Sequence, residues 1–318
     1  VSTGSQIMQT VTSLITGLAM GITILVGQKI GEKRPEQAGD VIGSGICLFG
    51  VLAAVLTVLM ILGAGFLAGL MHAPDEAFSQ TVDYIRICSA GAVFIIAYNV
   101  LGSIFRGIGD SRMPLFTVAA ACVFNIGGDL LLVAGFHMGA AGAALATVAA
   151  QAASVLLSLA VIRRRTLPFT IGKKNLRFER RLVGRILALG TPIALQDLLV
   201  SISFLVILAI VNSMGVIASA GVGVAEKLCA FIMLVASAYM QSMSAFVAQN
   251  MGAGKPERAK RALLYGIGTS LMAGVTLFYF SFFHGDAMAG IFARDPQVVA
   301  AAADYLKAYA IDCILTSF

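Results

Sequence analysis

This 318-residue chain is 58% hydrophobic and only 12% charged, which lies outside the usual composition of soluble globular proteins. The mean hydropathy of +0.91 predicts an all-α protein that crosses a membrane several times. The net charge of +6 does not indicate a nucleic-acid partner, because the basic residues lie between apolar segments.

Apolar segments long enough to cross a bilayer of about 30 Å follow one another along the whole chain. The first residue is not Met and the last apolar segment reaches the final residue, so we expect a fragment of a longer protein. The nine predicted segments are 5–28, 42–71, 82–105, 114–135, 139–162, 186–212, 217–248, 262–284 and 297–318.

Positive charge alternates between the loops that join these segments. The loops after the first, third, fifth and seventh segments hold 18 of the 22 Lys and Arg residues. The positive-inside rule therefore places these loops on the cytoplasmic side. The longest of them, 164–185, is strongly basic, and we interpret it as a linker between two lobes.

One motif occurs twice. The segment from Gln28 to Ala38 recurs 221 residues later, from Gln249 to Ala259, with Gln, Gly, Pro, Glu and Ala at the same places. We expect Gly31 and Gly252 to end helices in a left-handed conformation, with a proline starting the next helix. Such a duplication predicts two similar halves.

Both copies run from the outer face to the inner face, so the repeat is parallel and its axis lies along the membrane normal. A two-lobed arrangement of this kind is typical of carriers in which two helical bundles rock around a central site. We therefore interpret the chain as an alternating-access carrier. A channel is the alternative that this reasoning leaves open.

Six stretches, two of which overlap the repeated motif, together resemble the multidrug and toxic compound extrusion (MATE) family, in order and over essentially the whole chain. They are Gly27–Gly31, Phe105–Asp110, Asn125–Asp129, Gly139–Ala143, Gly190–Pro192 and Ala248–Ala253. The resemblance implies twelve helices in two six-helix lobes, and export of mostly cationic organic compounds in exchange for protons or sodium.

The same resemblance assigns the segments present to helices two through ten, so the first helix and the last two are missing. It implies an N-terminal lobe of residues 1–163, the basic linker 164–185 and a C-terminal lobe of residues 186–318. We expect a monomeric, multi-pass protein of the bacterial inner membrane.

Polar residues inside apolar helices are costly and are functional candidates by default. Asn125 and Asp129 are four residues apart, so a helix places both on one face. A carboxylate beside a carboxamide can take up a proton or coordinate sodium. The family resemblance also implies a cation-coupling role for this pair, but its usual partner carboxylate belongs to the missing first helix.

In the second half, Pro192 interrupts a helix and frees a backbone carbonyl, and we expect it to bend that helix. Gln196 follows about one turn later and is a candidate for binding the coupling cation or the substrate. Several family members carry a glutamate where Val200 stands here. Sodium coupling through that position is therefore not expected.

Asp312 lies deep in the last apolar segment and resembles an acidic position of helix ten, so it is the fourth candidate for cation coupling or substrate binding. Glu226 and Lys227 are adjacent and cannot share a helix face, so each requires its own partner or a water-filled cavity. With Asn99, they are our candidate cavity-lining residues.

Other classes are less well supported. No HExxH, paired-histidine or GxSxG motif indicates an enzyme, and the three histidines lack metal-ligand spacing. We expect no cofactor besides a coupling proton or sodium ion; the expected partners are small organic cations and the lipid bilayer. The alternative transport function is a flippase of lipid-linked saccharides, although its cavity usually carries several cationic residues.

Overall fold

The computed structural model describes residues 2–71, 75–165, 167–169, 172 and 174–317, and all regular structure in these ranges is helical. A π-helix, Leu130–Gly135, continues the fifth α-helix. The α-helices are α1 (Ser2–Gly31), α2 (Pro35–Leu70), α3 (Asp75–Ala90), α4 (Ala92–Gly107), α5 (Arg112–Asp129), α6 (Gly139–Arg164), α7 (Arg180–Ser213), α8 (Val216–Gly252), α9 (Pro256–Phe283), α10 (Gly285–Gly290) and α11 (Pro296–Leu315).

Among the described residues, seven helices are long and apolar enough to cross a bilayer, and the bent pair α3–α4 makes an eighth candidate. The predicted segment 82–105 is therefore broken: its two parts are inclined by 53°. The ninth predicted segment forms α11, which carries Asp304, Lys307 and Asp312 and is not among these candidates. An all-helical membrane protein is confirmed.

The chain forms two compact units. The first contains Val1–Leu198 with Met251–Gly254, and the second contains Leu199–Asn250 and Lys255–Phe318. In the first unit, apolar side chains of α1, α2, α4 and α7 share one core, which includes Ile22, Phe49 and Ile186. In the second, α8, α10 and α11 pack around Cys229 and Leu306. The lobe boundaries given by the family resemblance stay a prediction.

Large apolar side chains also cover the outer faces of the helices. On α2, Leu62 is 80% exposed and Phe66 is 74% exposed. In water such a surface would be a strong drive to aggregation, whereas in a bilayer it faces lipid of similar polarity. Some of the apolar residues therefore form the core of the protein, and the others face the lipid.

The first copy of the repeated motif closes α1 with a Schellman turn. The Arg34 N–H donates to the Lys29 carbonyl and the Lys33 N–H donates to the Ile30 carbonyl, both at 3.0 Å. Lys33 has a φ of 57°, and Arg34 has φ −115° and ψ 73°. These bonds satisfy carbonyls that a helix end leaves without partners.

The second copy repeats this turn at the same offset of 221 residues. The Lys255 N–H donates to the Asn250 carbonyl at 2.9 Å and the Gly254 N–H donates to the Met251 carbonyl at 3.1 Å. Gly254 has a φ of 66°, and Lys255 has φ −114° and ψ 61°. The two turns therefore share backbone geometry as well as sequence.

The prediction that Gly31 and Gly252 adopt the left-handed conformation was wrong. They are the last residues of α1 and α8, but the left-handed residues are Lys33 and Gly254, two positions later. In a Schellman turn the left-handed residue lies outside the helix rather than at its last helical position. The prolines do start α2 and α9, as predicted.

The repeat extends to a tertiary contact. A Cβ on Gly45 would lie 2.7 Å from Ile22 Cδ1, so this glycine allows α1 and α2 to approach closely. The equivalent Gly266 approaches the side chain of Met243 in the same way, and Met243 is 221 residues after Ile22. Each unit thus contains its own copy of the same helix pair.

Candidate functional site

The candidate site lies on α5 where this helix packs against α6. Asn125 and Asp129 lie one turn apart on α5, with Gly127 and Gly128 between them. A Cβ on Gly128 would lie 2.9 Å from the Ala146 Cβ, so the glycine lets α6 come against this part of α5. The predicted pair is therefore held beside a neighbouring helix.

Thr147 on α6 is the partner of Asn125. The Asn125 Nδ2 donates to the Thr147 Oγ1 at 3.4 Å, and that hydroxyl in turn donates to the Ala143 carbonyl at 2.9 Å. Because the first bond is long, it is weak and can be exchanged for another partner. Asn125 is thus oriented toward α6 without being held firmly.

Asp129 has an oxygen atom without a partner. Its Oδ1 is buried and makes no hydrogen bond among the described residues. A buried carboxylate oxygen without a partner is costly, so this atom can accept a hydrogen bond or coordinate a cation. The π-helix begins at the next residue, Leu130, and such segments are frequent at functional sites.

The bend between α3 and α4 brings a third helix to the site. Gly91 separates these helices, and a Cβ there would collide with the side chain of Val148 on α6. On α3, the Tyr84 side chain lies close to Thr147 and Cys88, and near enough to Asp129 for an electrostatic interaction.

Sequence reasoning missed Thr147 and Tyr84. Tyr84 carried one signal, because Tyr305 occupies the equivalent position of the second repeat. Thr147 carried none, because a threonine in an apolar helix commonly bonds its own backbone. Gln151, one turn from Thr147 on α6, also has a buried oxygen, Oε1, without a partner in the described chain.

Asn99 links two helices. The Thr16 Oγ1 of α1 donates to the Asn99 Oδ1 at 2.9 Å, and the Asn99 Nδ2 donates to the Ile95 carbonyl at 2.8 Å. Both ends of the carboxamide are therefore bonded within the protein. The side chain stabilises the α1–α4 pair, and a role in lining a cavity stays a prediction.

Pro192 and Gln196 lie on α7, and both side chains are exposed. Pro192 stands inside a continuous helix, where it cannot donate to the carbonyl four residues earlier. The helix nevertheless packs tightly on α1 just beyond it, where the Ala194 backbone approaches Gly17. The structure does not bring Gln196 into the Asn125–Asp129 cluster, and the bend stays a prediction.

In the second unit, Glu226 on α8 and Asp312 on α11 are half-buried, whereas Lys227 is exposed. Both carboxylates lie near enough to Cys229 and Tyr305 to interact with them electrostatically. This group of polar side chains belongs to the second unit, whereas Asn125 and Asp129 belong to the first. Among the described residues, no three His, Cys, Asp or Glu side chains are arranged to hold a metal ion; His72 lies outside that part of the chain.

The model of the MatE protein family matches residues 1–131 and 192–318. The chain belongs to the MATE family. It is therefore a multi-pass membrane protein from a family of transporters rather than enzymes, and MATE transport needs no cofactor.

The relatives of this MATE chain are longer than it is. It is 27% identical to the "Probable multidrug resistance protein YoeA" of Bacillus subtilis over 90% of its own length and 64% of the relative. It is 28% identical to the "FAD transporter" of Shewanella oneidensis, over 91% of its length and 65% of that protein. The chain thus spans about two thirds of these curated relatives.

This chain has the same fold as a solved MATE transporter structure. The outward-facing conformation of a multidrug resistance MATE family transporter matches with a TM-score of 0.88 and 22% identity, over 98% of this chain and 70% of that one. At this identity the match concerns the fold. The predicted family resemblance and the predicted fold class are both confirmed.

Proposed function

We propose that the protein containing this chain is a secondary active transporter that exports organic compounds, chiefly cationic ones, in exchange for protons or sodium. Membership of the MATE family supports the transport function. A relative named as a multidrug resistance protein supports export of varied organic compounds. The coupling ion and the charge of the substrate are the parts that experiment must establish.

A single observation supports the coupling mechanism. The Asp129 Oδ1 is buried beside the Asn125–Thr147 contact and has no hydrogen-bond partner in the part of the chain that the structure describes. A negative charge inside a helix bundle is stabilised by a bound cation. The carboxylate would hold either the coupling ion or a positively charged substrate group at one time. Binding of one then favours release of the other, which is the requirement for exchange.

The neighbours have supporting roles in this proposal. The Asn125 carboxamide and the Thr147 hydroxyl supply polar atoms that can complete the coordination of sodium or bond a protonated carboxyl group. Tyr84 closes the cluster from α3. Alternating access would come from rocking of the lobe 1–163 against the lobe 186–318, joined by the linker 164–185.

The substrate charge needs a direct test, because one relative is named an FAD transporter. FAD carries a pyrophosphate and is anionic, unlike the cationic compounds proposed here. Gln196, Asp312, Glu226 and Lys227 are the other candidates for substrate contact. A cationic dye and FAD should therefore be compared in the same assay.

The experiment uses the full-length protein in liposomes loaded with a fluorescent cationic dye, under a proton gradient and separately under a sodium gradient. We expect one gradient to drive export, and Asp129→Asn to reduce the rate to that of protein-free liposomes, because the neutral side chain cannot exchange a cation. Asp304→Asn is the matched control, since Asp304 is exposed and paired with Lys307 at 3.1 Å.

Wild-type export by a correctly folded Asp129→Asn variant would disprove the assignment of the coupling site. Absence of dye export under both gradients, with movement of a lipid-linked saccharide instead, would replace the exporter with the flippase alternative. Size-exclusion chromatography with light scattering would test the predicted monomer.

A further inference from the structure

The basic linker docks on the start of α2. The Asn175 Nδ2 donates to the Asp40 Oδ1 at 2.8 Å, and the Asn175 Oδ1 accepts from the Gly172 N–H at 2.8 Å. The Ser44 Oγ donates to the Arg177 carbonyl at 3.1 Å. We call residues 174–181 the strap. Its position is therefore fixed by both backbone and side-chain bonds.

Packing also fits α2 to the strap. A Cβ on Gly43 would collide with the backbone carbonyl of Asn175, so a glycine is required for this approach. Before the strap, Phe169 is buried in the core of the first unit and Leu167 packs against the same core. Lys173 lies outside the described residues, and the contacts on either side of it do not depend on it.

The docked strap turns apolar and basic side chains outward. Leu176 is 46% exposed and Phe178 is 54% exposed. Arg177, Arg180 and Arg181 are exposed beside them. Residues 163–185 contain nine Lys and Arg and a single carboxylate, Glu179. The strap thus combines apolar side chains with an excess of positive charge.

The strap also lies close to the edge of the lipid-facing surface. Ser44 precedes Val51 by about 10 Å along the helix, at about 1.5 Å per residue. Val51 belongs to a series of exposed apolar residues on α2, which starts at Ile46 and includes Val55, Val58 and Leu62. The outward side chains of the strap are therefore near the level of the lipid headgroups.

We propose that the strap is a binding surface for the anionic phospholipids of the adjacent leaflet, with phosphatidylglycerol as the type of headgroup. One guanidinium group can donate two parallel hydrogen bonds to the oxygens of a phosphate. Each basic residue near an anionic membrane surface strengthens binding to that surface. Leu176 and Phe178 enter the interface between headgroups and acyl chains, as apolar side chains of interfacial segments do.

The second repeat supports this inference. The positions on α9 equivalent to Asp40, Gly43 and Ser44 are Arg261, Leu264 and Tyr265. An arginine cannot accept the bond from Asn175, and a leucine has the Cβ that Gly43 lacks. The residues of α2 that contact the strap are therefore present in the first copy and absent from the equivalent positions of the second copy. A general need for cytoplasmic positive charge would not require this difference.

The test measures phosphatidylglycerol bound by the full-length protein in nanodiscs of phosphatidylcholine with increasing phosphatidylglycerol. We expect the triple variant R177Q/R180Q/R181Q to bind about a hundredfold more weakly than wild type, because each basic residue near an anionic surface contributes about 1 kcal/mol. The matched control, K255Q/K260Q/R261Q, removes the same number of charges from the second repeat and should change binding by less than about twofold.

The variant Asn175→Ala tests whether docking of the strap matters in addition to its charge, because it removes the bond to Asp40 and keeps every charged residue. We expect it to weaken phosphatidylglycerol binding about threefold, because an undocked strap must be ordered again on binding. Equal losses in the two triple variants, or wild-type binding by R177Q/R180Q/R181Q, would overturn the proposal. Soluble glycerol phosphate that binds as tightly as the lipid would overturn the assignment to the membrane.

Discussion

The turn between α1 and α2 and the turn between α8 and α9 have the same hydrogen bonds, and each helix pair has a glycine contact at the same place. They differ beside the turn. On α2, Asp40 and Gly43 receive the strap, whereas Arg261 and Leu264 stand at those positions of α9. The two copies therefore have the same turn at the end of the helix and differ at the positions where α2 contacts the strap.

The helices after the turn differ as well. The first repeat has a helix break at Gly91, which lies against Val148 on α6. The equivalent position in the second repeat is Asp312, inside the continuous helix α11. In the first repeat a glycine at this position allows a close approach to α6, and in the second repeat the position holds a carboxylate.

The largest difference between the copies should appear on adding a side chain beneath the strap. We expect Gly43→Val to destabilise the protein by about 1–3 kcal/mol, because its Cβ collides with the backbone of Asn175. Leu264→Val, at the equivalent position of α9, should cost less. Thermal unfolding in detergent measures both, and limited proteolysis after Lys174 reports release of the strap.

Equal melting temperatures for Gly43→Val and wild type, with an unchanged proteolysis pattern, would show that the strap does not pack against α2 at Gly43. The lipid-binding proposal would then lose its structural basis. The transport proposal would be unaffected, because it depends on α5 and α6.

A smaller effect is expected at the left-handed position, where the two copies carry Lys33 and Gly254. A side chain in this conformation costs about 1–2 kcal/mol, and part of this is offset because glycine makes the unfolded chain more flexible. We expect Lys33→Gly to stabilise the protein by about 0.5 kcal/mol and Gly254→Lys to destabilise it by a similar amount.

Thermal unfolding of these two variants would show shifts of opposite sign if the turns are equivalent. Shifts of the same sign would mean that the side chain at one position makes contacts that the other position lacks. Each shift should be smaller than that of Gly43→Val.

The smallest effect should be the same in both copies. Glu36 and Glu257 lie in the first turns of α2 and α9, where the helix dipole favours negative charge. Both carboxylates are exposed, so we expect Glu36→Gln and Glu257→Gln each to cost only about 0.3 kcal/mol at low salt and less at high salt. Melting temperatures measured at two salt concentrations would test this, and salt-independent losses would contradict it.

The sequence by itself determined the membrane class, most of the helices, the duplication and the pairing of Asn125 with Asp129 on one helix face. These follow from composition, from the helical period and from a repeat in one register, all of which are local properties of the chain. Proline at the start of α2 and α9 was predictable for the same reason.

Tertiary structure decided which side chains meet. The contact of Asn125 with Thr147, the position of Tyr84 beside Thr147, and the docking of Asn175 on Asp40 all join distant parts of the chain. Their residue types are ordinary in an apolar helix or a polar loop. Only the close packing of helices, which glycines permit at particular points, determines such partners.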